Sequence, residues 1–234
     1  MPTTTAASDA PSNTPSRAPR KALGGWLGLA GVQIAWAFAA ASGGDSESEA
    51  LYDYALAVVS LLVYGVLLAL TFWIAAVYPD RRQALGLTRF RLRWLGATAG
   101  VIVASIAVSL ALEPLLHAGE EQGLAPEIWR PDRAGAFAVN AAVIVTLVPF
   151  AEELFFRGLG VRVLGAFGSA AAVGGTALVF ALAHGLLVAI PALGFFALGL
   201  AWVRLRSASV WPGVIAHAAY NGVGLAVAYA MTQS

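Results

Sequence analysis

Residues 134–157 read AGAFAVNAAVIVTLVPFAEELFFR. The run is long enough to cross a bilayer as a helix, which takes about 20 apolar residues. Yet it closes on two adjacent glutamates and an arginine, Glu152, Glu153 and Arg157. Charge inside a membrane span is costly and marks a functional site by default. Two later apolar stretches carry the same anomaly, Phe180-Ala181-Leu182-Ala183-His184 and His217-Ala218-Ala219-Tyr220-Asn221. Two carboxylates and two imidazoles able to do acid–base work thus lie in apolar segments of the second half of the chain.

Composition agrees with a membrane reading. Of the 234 residues, 59% are hydrophobic and 12% charged, with a mean hydropathy of +0.75, where soluble domains carry roughly 25% charge. The apolar runs are continuous, whereas a transmembrane barrel shows short alternating segments. The expected fold is an all-α polytopic membrane helix bundle. Apolar segments fall at about 22–42, 51–78, 94–116, 134–157 (or on to 166), 170–189, 191–206 and 210–230. That predicts seven transmembrane helices, or eight if one segment is split. The sixth is short for a full span. Residues 1–20 are rich in Pro, Ser, Thr and Ala and read as a disordered cytoplasmic tail, leaving 21–234 as the bundle. Leu23 to Trp36, followed by Ala37-Phe38-Ala39-Ala40-Ala41, also resembles a signal peptide with its cleavage site; the long polar tail before it speaks against that.

Basic residues concentrate on the cytoplasmic side of membrane proteins. With the N-terminus inside and seven spans, the inner segments hold Arg17, Arg20, Lys21, Arg81, Arg82, Arg89, Arg91, Arg93, Arg157, Arg162, Arg204 and Arg206. Only Arg130 and Arg133 fall outside, together with the acidic groups Asp45, Glu47, Glu49, Glu113, Glu120, Glu121 and Glu127. The loop 79–93 reads as a positive-inside loop with an interfacial Trp94, and a lipid-headgroup contact is the sharper alternative. Gly24/Gly28 and Gly96/Gly100 have the spacing of close helix packing. The net charge of +1 carries no nucleic-acid signal, and the lack of cysteine excludes disulfides, thiolate metal sites and a cysteine nucleophile.

Spacing groups the charged residues. If the fourth and fifth spans form a hairpin turning at Gly168, Glu152 and His184 each lie 16 residues from the turn and so reach matching depth. His217 comes level only if residues 158–168 lie partly along the inner interface. Glu153 and Arg157, at i and i+4, stand in the favourable ion-pair order. Glu152 points about 100° away from Glu153, the angle per residue of a helix with 3.6 residues per turn. It is left free to act as a general base in a low-dielectric pocket, with His184 placed to hold a water against it. His217 and Asn221 share one helix face and can both donate to a developing oxyanion. Pro149 and Gly158 can bend the fourth helix and make room for water. Phe180 and Tyr220 read as packing, and His117 as a solvated loop residue.

The order EExxxR, FxxxH, HxxxN resembles the signature of the CAAX-protease and bacteriocin-processing (CPBP) intramembrane proteases, which include the type II CAAX prenyl endopeptidases and the abortive-infection proteins. The resemblance covers about residues 80–230, with Leu85-Gly86-Leu87 as a lead-in. It implies an intramembrane endopeptidase in which Glu152 activates water and His184 orients it. It further implies that His217 and Asn221 stabilise the oxyanion, with Glu153 and Arg157 in support. The family's prenyl endopeptidases have eight spans, one more than the count here.

The better-understood relatives imply a metal-free reaction, so no cofactor is expected. Glu152, His184 and His217 would be the ligands if Zn²⁺ took part, although no HExxH is present. Three non-catalytic readings compete: a polar cluster that glues helices, a proton-coupled transporter, and an immunity or scaffold protein with an idle site. The expected partners are membrane lipid and a membrane-associated peptide or protein substrate. Composition and size suggest a bacterial inner membrane, where prenylated substrates are not expected.

Overall fold

The computed structural model describes residues 20–41, 47–118 and 128–233. Of the expected tail at residues 1–20, Arg20 opens the first helix and the rest, with Asp45, Glu120, Glu121 and Glu127, lies outside the described residues.

Among the described residues, seven apolar helical segments follow one another: α1 (Arg20–Ala41), α2 (Tyr54–Ala75), α3 (Arg93–Leu116), α4 (Pro131–Phe167), α5 (Ala171–Leu182), α6 (Ile190–Ser207) and α7 (Trp211–Met231). No strand occurs among the described residues. Six of the seven are long and apolar enough to cross a membrane, and α5 is the shorter one. The chain is an integral membrane protein with an all-α polytopic bundle.

Local chemistry sets the ends. Asp53 caps α2 by accepting from the Ala55 amide at 2.9 Å, and Asp80 caps the single turn Arg81–Ala84 through the Gln83 amide at 3.0 Å. Proline sits in the first turn of both α6 and α7, where its fixed φ suits a helix start. Bulky apolar side chains such as Trp36, Leu62, Val103 and Leu110 face outward, while Asn140, Glu152, Glu153, Arg157 and His217 are buried. That inversion of the water-soluble pattern is what lipid as the outer solvent requires.

Helix α4 is the axis. It packs against α2 and α7, α6 packs against α5 and α3, and α1 packs on α2 and on the far end of α4. Residues 151–161 of α4 are buried without interruption. Trp26 of α1 donates to the Phe155 carbonyl at 3.1 Å and stacks on its ring, and Gly160 gives that indole room. The first helix is therefore a packed member of the bundle.

Two expectations need correction. The fifth segment, not the sixth, is the short one: α5 stops at Leu182 instead of running to 189, and α6 spans 18 residues. Gly185 takes φ +69°, and an added Cβ there would lie 2.6 Å from the Ala37 carbonyl of α1, so the chain turns where hydropathy alone would let it continue. The glycines at 24, 28, 96 and 100 meet nothing within 4 Å and mediate no packing within the chain. Close approach occurs instead at Gly158, Gly160, Gly185, Gly199 and Gly213. The loop after α2 exposes its arginines and packs its middle against the bundle. Ala84 and Leu85 are buried, the Gly86 carbonyl accepts from the Val210 amide at 2.9 Å, and in the α6–α7 connection the Ala208 carbonyl accepts from the Thr88 hydroxyl while the Ser209 hydroxyl donates to the Thr88 carbonyl.

Candidate active site

The centre of α4 is not an ordinary helix. Residues Glu153–Gly160 form a π-helical stretch, and α5 opens with another at Ala171–Gly175. Such turns are rare, and short ones recur at functional sites. Pro149, one turn upstream, removes an amide donor from the ladder. Gly158 faces Leu85, where a Cβ would meet the carbonyl oxygen at 2.8 Å. A depth reckoned at the α-helical rise per residue does not carry through these wider turns.

Four ionisable side chains meet here. Glu153 and Arg157 are fully buried, with Oε1 of Glu153 3.0 Å from Nη1 of Arg157 and 3.2 Å from Nδ1 of His217. The guanidinium also lies 4.1 Å over the Phe180 ring, and its Nη2 donates to the Ala197 carbonyl at 3.5 Å. Glu152 accepts the Tyr64 hydroxyl on Oε1 at 2.9 Å. Its Oε2 is buried without a hydrogen-bond partner, 3.8 Å from Nε2 of His217. That separation exceeds a direct hydrogen bond. Two acids, an arginine and a histidine thus share one buried site, where a charge is tolerated only beside a partner of opposite sign, as Arg157 is beside Glu153.

His217 is held between Phe180 and Phe196, with ring centroids 5.7 and 5.5 Å away. It reaches Glu153 with the first part of the 158–168 segment buried and its later part, from Arg162, largely exposed or half-buried. Residues 158–161 are buried, and the α6–α7 connection is itself sunk, with Ser209 and Val210 fully buried. Gly213, one turn before His217, admits Glu153, since a Cβ there would lie 2.6 Å from Oε2.

The other two motif residues are placed differently. His184 lies just past the end of α5, half-buried, with Nδ1 2.8 Å from the Phe180 carbonyl. A carbonyl only accepts, so Nδ1 carries a proton, and in the neutral ring Nε2 is an acceptor. His184 joins the cluster through the Phe180 ring, 4.6 Å away. Asn221 donates to the Ile144 carbonyl of α4 at 3.1 Å. Among the described residues, no group of three or more His, Cys, Asp or Glu side chains is placed to hold a metal ion. Two participants escaped the sequence reading. Tyr64, from α2, had one available signal, a hydroxyl midway along a strongly apolar run. Phe180 is no bystander, because it touches Arg157, His184 and His217 at once. Tyr220 stacks on Phe196, as a packing residue does, and exposed His117 caps α3.

All six motif residues lie in one continuous segment, and that segment has relatives. Residues 134–223 match the family described as type II CAAX prenyl endopeptidase Rce1-like. This segment is Rce1-like. The Rce1-like match begins in α4 and ends in α7, so it takes in the whole buried cluster except Tyr64. At the level of the family it supports an intramembrane CAAX-type protease. No curated protein and no solved structure matches the chain.

Proposed function

We propose that the protein is an endopeptidase that hydrolyses a peptide bond of a membrane-associated protein or peptide with a water activated by Glu152. The observation that carries this reading is the asymmetry of the Glu152 carboxylate. One oxygen is held by Tyr64, and the other is buried, unpartnered and beside His217. Water attacks the scissile carbonyl carbon as its proton passes to Glu152. Negative charge moves from the carboxylate to the carbonyl oxygen, so no net charge is created in the buried cluster. His217 in its cationic form donates to that oxygen from Nε2, while Glu153 and Arg157 fix its Nδ1 side. Asn221 uses one amide N–H on Ile144, and its second is free for the same oxyanion. His184 accepts an O–H of the attacking water on Nε2. The C–N bond then breaks, and Glu152 returns its proton to the leaving nitrogen.

None of these steps needs a metal. We further propose that the arginine-rich end faces the cytoplasm of a bacterial inner membrane. Single cysteines are readily introduced into a chain that has none. One at position 89 should label only from the cytoplasmic side, and labelling from outside would reverse the orientation.

The test of the reaction compares membrane-protein termini in a deletion strain and in strains complemented with wild type or Glu152→Gln at matched levels. A new terminus seen only with wild type supports the protease and identifies its substrate. Full rescue of the deletion phenotype by Glu152→Gln, with no changed terminus, would make the cluster a structural or binding element.

A further inference from the structure

At the arginine-rich end, Tyr78, Arg162 and Arg204 present donors without acceptors. The Tyr78 hydroxyl is buried and makes no hydrogen bond, and Nε of Arg204 is likewise buried and unpaired. The Arg162 guanidinium lies 5.1 Å from the centre of the Tyr78 ring. It is also close enough to Arg204 for the two cations to repel. No described carboxylate pairs with either arginine. Asp80, the nearest acid in the chain to Tyr78, is engaged in capping the turn at Arg81.

Helix ends attract cations, and Arg204 does lie in the last turn of α6. The dipole accounts for its charge but not for a buried, unsatisfied Nε pressed against backbone. A Cβ at Gly86 would lie 2.5 Å from that nitrogen, and Gly86 takes φ +68°, so the loop before α3 is shaped around the guanidinium. An apolar groove of about 270 Å³ is lined by Lys21, Trp73, Ile74, Ala76 and Val77. The groove ends one residue before Tyr78, and α1, which carries Lys21, packs against Val161–Leu164, which carries Arg162.

We infer that Tyr78, Arg162 and Arg204 bind the phosphate of an anionic phospholipid, with an acyl chain in that groove. The chemistry matches. A phosphate oxygen accepts from a phenol and from planar guanidinium forks, and basic pockets between helices at the cytoplasmic face take lipid headgroups in this way. Burial raises the Tyr78 hydroxyl above its ordinary range, with Arg162 partly offsetting it, so this donor keeps its proton at neutral pH. The inference is independent of the reaction proposed above, and its test reads no proteolysis.

The full chain would be reconstituted in nanodiscs containing phosphatidylcholine alone or with phosphatidylglycerol. Lipid retained after extraction into mild detergent would then be counted by native mass spectrometry. Wild type should retain phosphatidylglycerol over phosphatidylcholine. Arg162→Gln and Arg204→Gln should each weaken that preference roughly fivefold, as about 1 kcal/mol per basic residue implies. Arg204→Lys should restore only part of it. Arg89→Gln/Arg91→Gln, exposed on the same rim, should leave it unchanged. Arg162 is itself exposed, so its substitution keeps the fold and the comparison holds even if Arg204→Gln misfolds. Equal loss in the Arg89/Arg91 variant would mean surface charge alone and overturn the site. Unchanged retention in the Arg162 variant would overturn it too. Displacement of the lipid by millimolar inorganic phosphate would assign the site to free phosphate and refute the lipid.

Discussion

Removing the buried arginine should be far worse than removing it together with its partner. Arg157 and Glu153 are fully buried and 3.0 Å apart. At an effective dielectric of 20, that separation corresponds to roughly 5.5 kcal/mol of attraction, which desolvation largely offsets. Arg157→Met leaves Glu153 with only His217, and should destabilise the protein by about 3–5 kcal/mol. Glu153→Leu should cost a similar amount by stranding Arg157 over the Phe180 ring. The double variant removes both charges and should lie within about 2 kcal/mol of wild type, giving a coupling of several kcal/mol. Reversible unfolding in mixed micelles, followed for all four proteins, measures the cycle. Additive single effects would refute the argument that the pair is held by its own neutrality. All three variants should be inactive, so stability and not turnover is the readout.

Tyr64→Phe removes the hydrogen bond to Glu152, a bond to a charged group worth about 1.5–3 kcal/mol. If the base depends on it, kcat should fall roughly 10–100-fold while thermal stability changes little; unchanged turnover would remove Tyr64 from the site. Gly158→Ala drives a Cβ toward the Leu85 carbonyl and should lower stability by about 1–3 kcal/mol, whereas Gly100→Ala, with nothing near it, should be neutral within about 0.5 kcal/mol. A melting comparison of the two tests whether packing or GxxxG spacing decides. Trp26→Ala should cost about 3–5 kcal/mol and raise proteolytic nicking of α1, since the indole carries both a hydrogen bond and a stack on Phe155.

Six of the seven segments were legible because lipid selects them by one crude property, mean apolarity over about 20 residues. The fifth was misjudged for the same reason. Residues 186–189 stay apolar, so nothing in their composition announces a turn that depends on the backbone of Gly185 meeting α1. The glycine pattern failed in the opposite direction: spacing within one helix says nothing about whether another helix arrives there.

The motif residues were legible as anomalies, because a charge in an apolar run is visible without knowledge of the fold. What they touch was not. A helix with α-helical spacing sends Glu152 and Glu153 apart, and in the folded protein they do address different partners, Tyr64 and Arg157. His217 nevertheless stands beside both. That convergence needs the π-helical turns of α4, the sunken α6–α7 connection and the bare backbone of Gly213 together. Each is a choice the chain makes only in the presence of the others, through the carbonyl of Leu85, the amide of Val210 and the indole of Trp26. Sequence exposes what is expensive to bury, and the surrounding backbone decides how it is paired. The variants that separate these two levels are the glycines, since Gly158→Ala and Gly213→Ala leave every motif residue in place and alter only where they meet.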